Sequence, residues 1–370
     1  MRPLGGHSRT GCTTSGPTSA TLVAGGAKRF ASSIAPPSPA SARPRCASSI
    51  AAPSRAARVC SDRAAACRAR HNRAMEQRSV GIVGVGNMGL AMALRLRELG
   101  AEVHVRDIDP AREALAAAAG ARRAATPAEL ARRVDAVVVA VVDAAQTEAV
   151  LFGEDGAARA MRAGGCVVLC PTIAPASTEA IAARLAAAGI DAIDAPMSGG
   201  PARARTGTMA LMVACAERVF ARWHALLASL ADPVFRIGDR VGDGARTKLV
   251  NNLLAAVNLV GAAEAIALAE RVGLDAARTL DVIERSSGQS WIASDRMRRA
   301  IAGDLAPRAH TTLLAKDSAL AMAMAAAAGA APRLGDAAAA TFAAAVAAGH
   351  GSDDDASLLA FVRELEGGPR

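Results

Sequence analysis

Lys248 and Asn252 are the side chains with the clearest chemical potential in this sequence. They lie four residues apart near the start of an apolar stretch, residues 242–272, that contains no proline. This stretch predicts one long helix, apolar on nearly every side and therefore buried, with both side chains on one face. A buried lysine can move a proton near neutral pH, and an amide can orient a hydroxyl group. In the alternative interpretation, Lys248 stands at a helix start and its charge reaches solvent.

A second cation beside Lys248 would lower its pKa further. Arg246 and Lys316 are the two candidates, and the sequence does not choose between them. The long helix is not expected to span a membrane, because its polar residues Asn251, Asn252, Asn258 and Glu264 would be costly in lipid without partners.

A glycine-rich turn follows a short apolar strand at residues 80–83. Gly84, Gly86 and Gly89 have the spacing G-x-G-x-x-G, and helical periodicity follows over residues 90–99. In a dinucleotide-binding turn these glycines allow the tight turn, the approach of a pyrophosphate and the close packing of helix on strand. The alternative is a structural turn without a ligand.

Asp107 supplies the context that the glycine motif requires. It follows a second predicted strand, residues 102–105, and lies 18 residues after Gly89. An acid here accepts hydrogen bonds from the adenosine ribose and repels a 2′-phosphate, which favours NAD over NADP. Neighbouring Arg106 could soften that preference, and Asp107 could instead be a surface acid.

Strands and helices continue to alternate, which predicts an α/β fold with a Rossmann-type doubly wound sheet. Further strands are expected at 136–142, 166–169 and 190–193, and helices at 111–119 and 127–133. Ligands of such sheets bind beyond the carboxyl ends of the strands. Val142, Asp143 and Thr172 are therefore expected near the cofactor, unless Asp143 belongs to a solvated loop.

Ser198, Gly199 and Gly200 follow the last of these strands. A hydroxyl group and an unobstructed backbone can hold a carboxylate or another anion, although this tripeptide is also a common structural loop.

Beyond residue 272 only helices are predicted, at 276–285, 291–301, 311–328, 334–347 and 355–366. The chain is therefore expected to consist of a cofactor domain, residues 75–240, and an all-helical domain, residues 241–370, joined by the long helix. The alanine-rich helix surfaces are typical of close packing and suit a homodimer or homotetramer interface.

The net charge of +9 is confined to the first part of the chain. Residues 1–74 carry eleven Arg and one Lys against Asp62, a net charge of +11, and the remainder carries −2. This segment is predicted to be disordered. It is an extension upstream of a start at Met75, an organellar transit peptide, or a basic arm for nucleic acid. With 2% aromatic residues, base stacking is not expected.

Three cysteines lie in the globular part, at 166, 170 and 215, and form neither a disulfide framework nor a metal-binding spacing. No metal is expected. Because the cysteines form no disulfide framework, a reducing compartment is expected. This is the cytoplasm, or the mitochondrial matrix if the extension is a transit peptide.

Four segments, in order and spacing, resemble the signature segments of the β-hydroxyacid dehydrogenase family. They are GVGNMGLAMA at 84–93, DAPMSGG at 194–200, GDGARTKLVNN at 242–252 and AKDSALA at 315–321. The resemblance covers about residues 78–366. It implies a fold with a dinucleotide-binding sheet and a helical domain, and NAD-dependent oxidation of a small C3–C5 hydroxycarboxylate.

The resemblance also implies roles for individual residues. Lys248 matches the catalytic lysine, and Asn252 matches the amide that orients the substrate. The substrate carboxylate would be held by Ser198, Gly199 and Gly200. The cofactor would be held by Gly84, Gly86, Asn87, Met88, Gly89, Thr172 and Lys316. The chain departs from the family at Val142 and Asp143, where Leu-Pro is common, and at Cys170-Pro171 before Thr172.

Residues 286–308 bear on the substrate. They resemble the threonate-type branch, and Gln289, Ser290 and Trp291 could close over a polyhydroxylated acid such as threonate. Alternatively, Trp291 is a core residue and Arg296 a surface residue. The alternative substrates are 3-hydroxyisobutyrate and tartronate semialdehyde. The non-enzymatic alternative is a dinucleotide-binding protein with a basic DNA-binding arm.

Overall fold

The computed structural model describes residues 79–367. The predicted disordered extension, residues 1–74, lies outside them.

The strands of the described part form one mixed sheet. They are β1 Ser79–Val83, β2 Glu102–Arg106, β3 Arg122–Arg123, β4 Ala136–Val139, β5 Cys166–Leu169, β6 Asp191–Asp194, β7 Met197–Ser198, β8 Met209–Ala214 and β9 Ala231–Gly238. The order is β3-β2-β1-β4-β5-β6-β8-β7, with β9 also beside β8. Neighbours from β3 to β6 are parallel, whereas β8 runs antiparallel to β6 and β7 and parallel to β9. The parallel part confirms the doubly wound prediction.

Seven helices connect the strands. They are α1 Asn87–Glu98, α2 Pro110–Ala118, α3 Pro127–Arg132, α4 Ala144–Phe152, α5 Pro175–Ala187, α6 Gly200–Thr206 and α7 Glu217–Leu230. Six more helices follow the sheet. They are α8 Asp243–Arg271, α9 Ala276–Ile283, α10 Trp291–Ile301, α11 Thr311–Ala327, α12 Arg333–Ala347 and α13 Leu358–Leu365.

Both faces of the sheet are covered, because alternate strand residues point to opposite sides. On one face, Val80 and Val103 join a cluster with Trp223 of α7. On the other face, Val137 and Val167 pack in a cluster with helices α3 to α5. The near-continuous apolar strands of the sequence are thus explained by burial on two sides.

The predicted strand 136–142 ends early, at Val139, because its neighbours β1 and β5 end at Val83 and Leu169. Strands β8 and β9 were not predicted. β8 lies nine residues beyond Gly200, after the tripeptide interpreted as an anion-holding loop, and β9 contains Asp232 and Pro233, which are unfavourable strand residues. The helices after residue 272 confirm the all-helical prediction within the described residues.

Helix α8 packs against α9 to α13 and also contacts β6, β8 and β9, so it joins the sheet to the helices. The expectation of burial on every side is wrong. Val250, Leu254, Leu268 and Val272 are exposed along one stripe. A sequence pattern cannot distinguish burial within one chain from a surface covered by something else. By length and composition alone α8 could cross a membrane, which is weak evidence because core helices share these properties.

Candidate active site

The glycine turn between β1 and α1 has the geometry of a pyrophosphate cradle. Gly84 has φ +91°, and a Cβ there would lie 2.6 Å from the carbonyl oxygen of Ala140. A Cβ at Gly89 would lie 1.9 Å from the carbonyl oxygen of Gly84, so helix and strand approach closely. A Cβ at Gly86 would meet nothing within 4 Å, and no side chain caps the start of α1. Open space in front of backbone N–H groups fits a bound dinucleotide.

Asp107 is tied to this turn. Its carboxylate accepts hydrogen bonds from the backbone N–H of Val85 and, at 2.9 Å, of Asp109. The carboxylate therefore stands beside the glycine turn, as the motif requires. Two oxygens offer about four acceptor positions, so ribose hydroxyl groups can still be accepted.

Asn87 connects the turn to the helical part of the chain. Its Nδ2 lies 3.5 Å from the carbonyl oxygen of Arg308, and its Oδ1 lies 3.4 Å from Nη1 of Arg112. Neighbouring Met88 packs against the cluster on one face of the sheet. The loop before α11 thus reaches the start of α1.

Val142 and Asp143 have local structural explanations. Val142 is exposed, and its N–H donates to Oε1 of Gln146 at 3.1 Å. Asp143 caps α4 by accepting the N–H of Gln146 at 2.8 Å. Asp143 is therefore a helix cap rather than an unstructured solvated residue.

Thr172 and Lys316 are brought together. Nζ of Lys316 donates to the carbonyl oxygen of Thr172 at 2.5 Å and lies 2.7 Å from Oδ1 of Asp317. Helix α11 is thereby fastened to the loop that follows β5, at the carboxyl edge of the sheet.

Lys248 and Asn252 are both buried on α8, 9% and 7% exposed. Nδ2 of Asn252 donates to Oδ2 of Asp317 at 2.6 Å. Burial lowers the pKa of Lys248 to about 8; Asp317 opposes this shift and Lys316 adds to it. The alternative of a solvent-reaching lysine is wrong, and this amine can exchange a proton near neutral pH.

Lys316 is thus the second cation, not Arg246. The guanidinium of Arg246 is engaged by Glu179 at 2.7 Å and Asp243 at 3.1 Å. It lies two residues before Lys248 on the helix, so it points to a different side of α8.

Asp194 is a site residue that the sequence interpretation missed. It ends β6, is 1% exposed, and its Oδ2 accepts the N–H groups of Gly242 at 2.8 Å and Ala245 at 3.0 Å. A Cβ at Gly244 would lie 2.9 Å from this oxygen, so only glycine allows the approach. Burial raises the pKa of Asp194 to about 6, against the lowering by these backbone N–H groups. The sequence signal that could have revealed Asp194 is an acidic residue at the end of an apolar strand.

Ser198, Gly199 and Gly200 form the turn from β7 into α6. Gly199 and Gly200 have φ of +124° and +73°, and a Cβ at Gly200 would meet nothing within 4 Å. All three residues are partly buried. The backbone is therefore accessible to a small anion from one side.

The structure contradicts the alternative in which Trp291 is a core residue and Arg296 is a surface residue. Trp291 is 53% exposed, so it is not a core residue. The side chain of Arg296 is 14% exposed and donates to Asp355 at 2.6 Å, so it is not a surface residue. The carboxylate that holds Arg296 is remote in sequence, which is why the pairing could not be read from the motif.

The fold and the site define a two-part protein that binds a nicotinamide dinucleotide. Residues 79–238 match the family described as the NAD binding domain of 6-phosphogluconate dehydrogenase. Residues 242–362 match the family described as NAD-binding of NADP-dependent 3-hydroxyisobutyrate dehydrogenase.

Individual proteins are similar over most of the chain. An L-threonate dehydrogenase of Cupriavidus necator is 38% identical over 289 residues, 78% of this chain and 97% of that protein. The 2-hydroxy-3-oxopropionate reductase of Escherichia coli is 32% identical, over 66% of this chain and 82% of its own. A crystal structure of a 3-hydroxyisobutyrate dehydrogenase from Salmonella typhimurium superposes with a TM-score of 0.73 at 37% identity, over 77% of this chain and 100% of that one. The chain belongs to the β-hydroxyacid dehydrogenase family, an oxidoreductase family.

Proposed function

We propose that this chain catalyses the reversible, NAD-dependent oxidation of a small hydroxycarboxylate, with Lys248 as the group that moves the proton. The observation that carries the proposal is the buried amine of Lys248, its pKa lowered to about 8, beside Asn252 and Lys316. Strongly perturbed lysines of this kind are typical of catalytic sites.

A bound dinucleotide would supply the acceptor for the hydride that leaves the substrate carbon during oxidation. In that direction the neutral amine of Lys248 removes the hydroxyl proton, and in the reverse direction its ammonium form returns it. Asn252, one turn along α8 and held by Asp317 at 2.6 Å, orients the hydroxyl group. Ser198 and the backbone of Gly199 and Gly200 hold the carboxylate.

The cofactor preference is the second part of the proposal. Gly84, Gly86 and Gly89 with the start of α1 hold the pyrophosphate, and Asp107 accepts the ribose hydroxyl groups and disfavours a 2′-phosphate. Replacing Asp107 with Ala is expected to raise the use of NADP relative to NAD, measured as the ratio of kcat/KM values. No change in this ratio would exclude Asp107 as the ribose acceptor.

For the substrate, L-threonate is supported most strongly. The similarity to an L-threonate dehydrogenase extends over 97% of that protein. A polyhydroxylated acid also suits the residues around Trp291, which is 53% exposed near polar Gln289 and Ser290. 3-Hydroxyisobutyrate and tartronate semialdehyde are the alternative substrates within the same chemistry.

A substrate screen tests the proposal. NAD reduction is followed at 340 nm with C3 to C5 hydroxy acids, including L-threonate, D-threonate, 3-hydroxyisobutyrate and D-glycerate. The highest kcat/KM is expected for L-threonate. A higher value for 3-hydroxyisobutyrate or glycerate would support the alternatives, and no turnover with any hydroxy acid would contradict the proposed reaction.

The non-enzymatic alternative is tested separately. Electrophoretic DNA binding is compared for the full chain and for a variant that starts at Met75. DNA binding lost with residues 1–74, together with absent turnover, would favour a dinucleotide-binding protein with a basic arm.

The exposed stripe on α8 supports a homo-oligomer. Val250, Leu254, Leu268 and Val272 are all more than half exposed, at 59 to 64%. Burying these side chains against a second copy removes apolar area from water. A dimer or tetramer is expected in analytical ultracentrifugation, and a Leu254→Glu variant is expected to dissociate it.

We also propose that residues 75–240 and 241–370 are the two domains and that the protein acts in the cytoplasm. If residues 1–74 act as a transit peptide, the mitochondrial matrix takes its place. Cell fractionation with and without residues 1–74 distinguishes the two locations.

A further inference from the structure

Glu113 is a buried carboxylate beside the end of β2 that the proposed mechanism does not use. Its side chain is 4% exposed, on helix α2. Oε1 accepts the backbone N–H of Asp107 at 3.0 Å and Nη1 of Arg106 at 2.9 Å. Oε2 accepts Nε and Nη2 of Arg123 at 2.9 and 2.7 Å. One carboxylate therefore engages two guanidinium groups and the backbone of the residue proposed to bind ribose.

These contacts fix the charge of the group. Burial alone would raise the pKa of Glu113, but the bonds from Asp107, Arg106 and Arg123 outweigh burial and lower it. Glu113 is therefore ionised at neutral pH. The charges of Arg106, Arg123, Glu113 and Asp107 sum to zero, and Arg112, the other cation of this region, lies 3.4 Å from Oδ1 of Asn87.

This balance bears on the difference between the two dinucleotides. NADP differs from NAD by a 2′-phosphate of about two negative charges, which proteins bind with guanidinium groups. Arg106 directly precedes Asp107, so a suitable cation stands beside the expected ribose position. Its guanidinium is instead directed at Glu113 and at the carbonyl oxygen of Asp107.

We propose that Glu113 sets the preference of this chain for NAD over NADP, by holding Arg106 and Arg123 in ion pairs and by fixing the backbone of Asp107. The inference rests on the proposed function, in which Asp107 reads the ribose. Glu113 acts through these neighbours and is a specificity-determining residue rather than a catalytic one.

The test is direct binding of NADH and NADPH to the full chain by isothermal titration calorimetry. Glu113→Gln keeps the size of the side chain and a carbonyl acceptor for the N–H of Asp107, but removes the charge. The ratio of the NADPH Kd to the NADH Kd is expected to fall about tenfold, because a guanidinium becomes available to the phosphate. A second change, Arg106→Ala, is expected to reverse most of that gain.

Glu102→Gln is the matched control. Glu102 lies at the opposite end of the same strand, and its carboxylate pairs with Arg122 of β3 at 2.5 Å. Both variants change a glutamate to glutamine, and both glutamates pair with an arginine of the edge strand β3. Glu102, however, lies at the end of β2 that is far from the glycine turn. The Kd ratio is expected to stay within about twofold of wild type. An equal effect of both substitutions would show a general charge effect and overturn the inference.

A measurement on wild type covers the case in which Glu113→Gln does not fold. If the guanidinium groups are neutralised, the affinity for NADPH gains no more than the affinity for NADH when salt is lowered. A steeper gain for NADPH would show that Arg106 and Arg123 attract the phosphate despite Glu113, and would overturn the inference. NADH binding with an unchanged Kd ratio in Glu113→Gln overturns this inference alone. Binding of neither dinucleotide to wild type overturns the proposed function as well.

Discussion

Two groups of buried and partly buried charges lie in the helical half of the chain, and they are built differently. The first group, between α10 and the turn before α13, pairs Arg299 with Asp354 at 2.7 Å and Arg296 with Asp355 at 2.6 Å. The second group, between α8 and α11, contains Lys248, Lys316 and Asp317. Asp317 forms an ion pair with Lys316 and accepts a hydrogen bond from Asn252. Lys248 forms no ion pair among residues 79–367.

The paired arginines suit a structural role, whereas the unpaired Lys248 suits the proposed chemical role. Buried pairs with matched partners hold segments together; here Asp354 also accepts the N–H groups of Arg308 and Ala309 and so fixes the loop before α11. A buried lysine without such a partner lowers stability in its charged form, and its pKa moves towards neutral pH. The unpaired cation is the one that can exchange protons.

The largest expected effect is the loss of turnover in Lys248→Met. Without the group that moves the proton, kcat/KM for oxidation is expected to fall about a thousandfold or more, while the Kd for NADH is retained. Steady-state rates and calorimetry measure the two quantities. Lys248→Arg is the companion variant, because it keeps a charge that cannot be released and is expected to be equally inactive. Retained turnover in either variant would remove Lys248 from the mechanism.

Breaking the paired group should instead act on folding. Asp354→Asn leaves Arg299 buried beside a neutral amide, which is expected to cost about 3 kcal/mol of the free energy of unfolding. Urea denaturation measures it, and the pH profile of the remaining activity should keep its midpoint. A cost below about 1 kcal/mol would mean that the pairing contributes little.

The same Lys248→Met change is expected to stabilise the protein, by about 2 kcal/mol at pH 7. The folded-state pKa of Lys248 is about 8, below its ordinary 10.5, so the unfolded chain binds more protons between these values. Wild-type stability should therefore rise with pH across this window, and the advantage of the variant should fade. Urea titrations at pH 7 and pH 10 measure both trends; a variant less stable than wild type at pH 7 would contradict them.

The smallest effect concerns the neighbour of Lys248. Lys316→Met removes a like charge, so the pKa of Lys248 should rise and the pH profile of kcat for oxidation should move about half a pH unit upward. Arg246→Met is the control and should leave the midpoint in place, because Arg246 faces Glu179. A shift in the control but not in Lys316→Met would reverse the assignment of the second cation.

The fold was largely predictable, because apolar strands, the glycine turn and long periodic helices are local signals. Thr311–Ala327 and Trp291–Ile301 were foreseen nearly to the residue. Partners across the chain were not predictable. Asp194 and Asp317 accept hydrogen bonds from groups 48 and 65 residues away, and no local spacing reveals which acid meets which donor. The exposed apolar stripe of α8 was not predictable either, because its sequence pattern is the same as that of a stripe buried within the chain.

The carboxylate of Asp194 has a mechanical consequence. It closes the strand that leads into the Ser198 turn, and it also holds the first turn of the helix on which Lys248 stands. The proposed anion holder and the proposed proton carrier thus share a single anchor. Ser198 lies four residues after Asp194, and Lys248 lies three residues after Ala245, whose N–H group the carboxylate accepts. One side chain therefore ties the strand that leads to the Ser198 turn to the helix that bears Lys248, so a shift of either element acts on the other through this carboxylate.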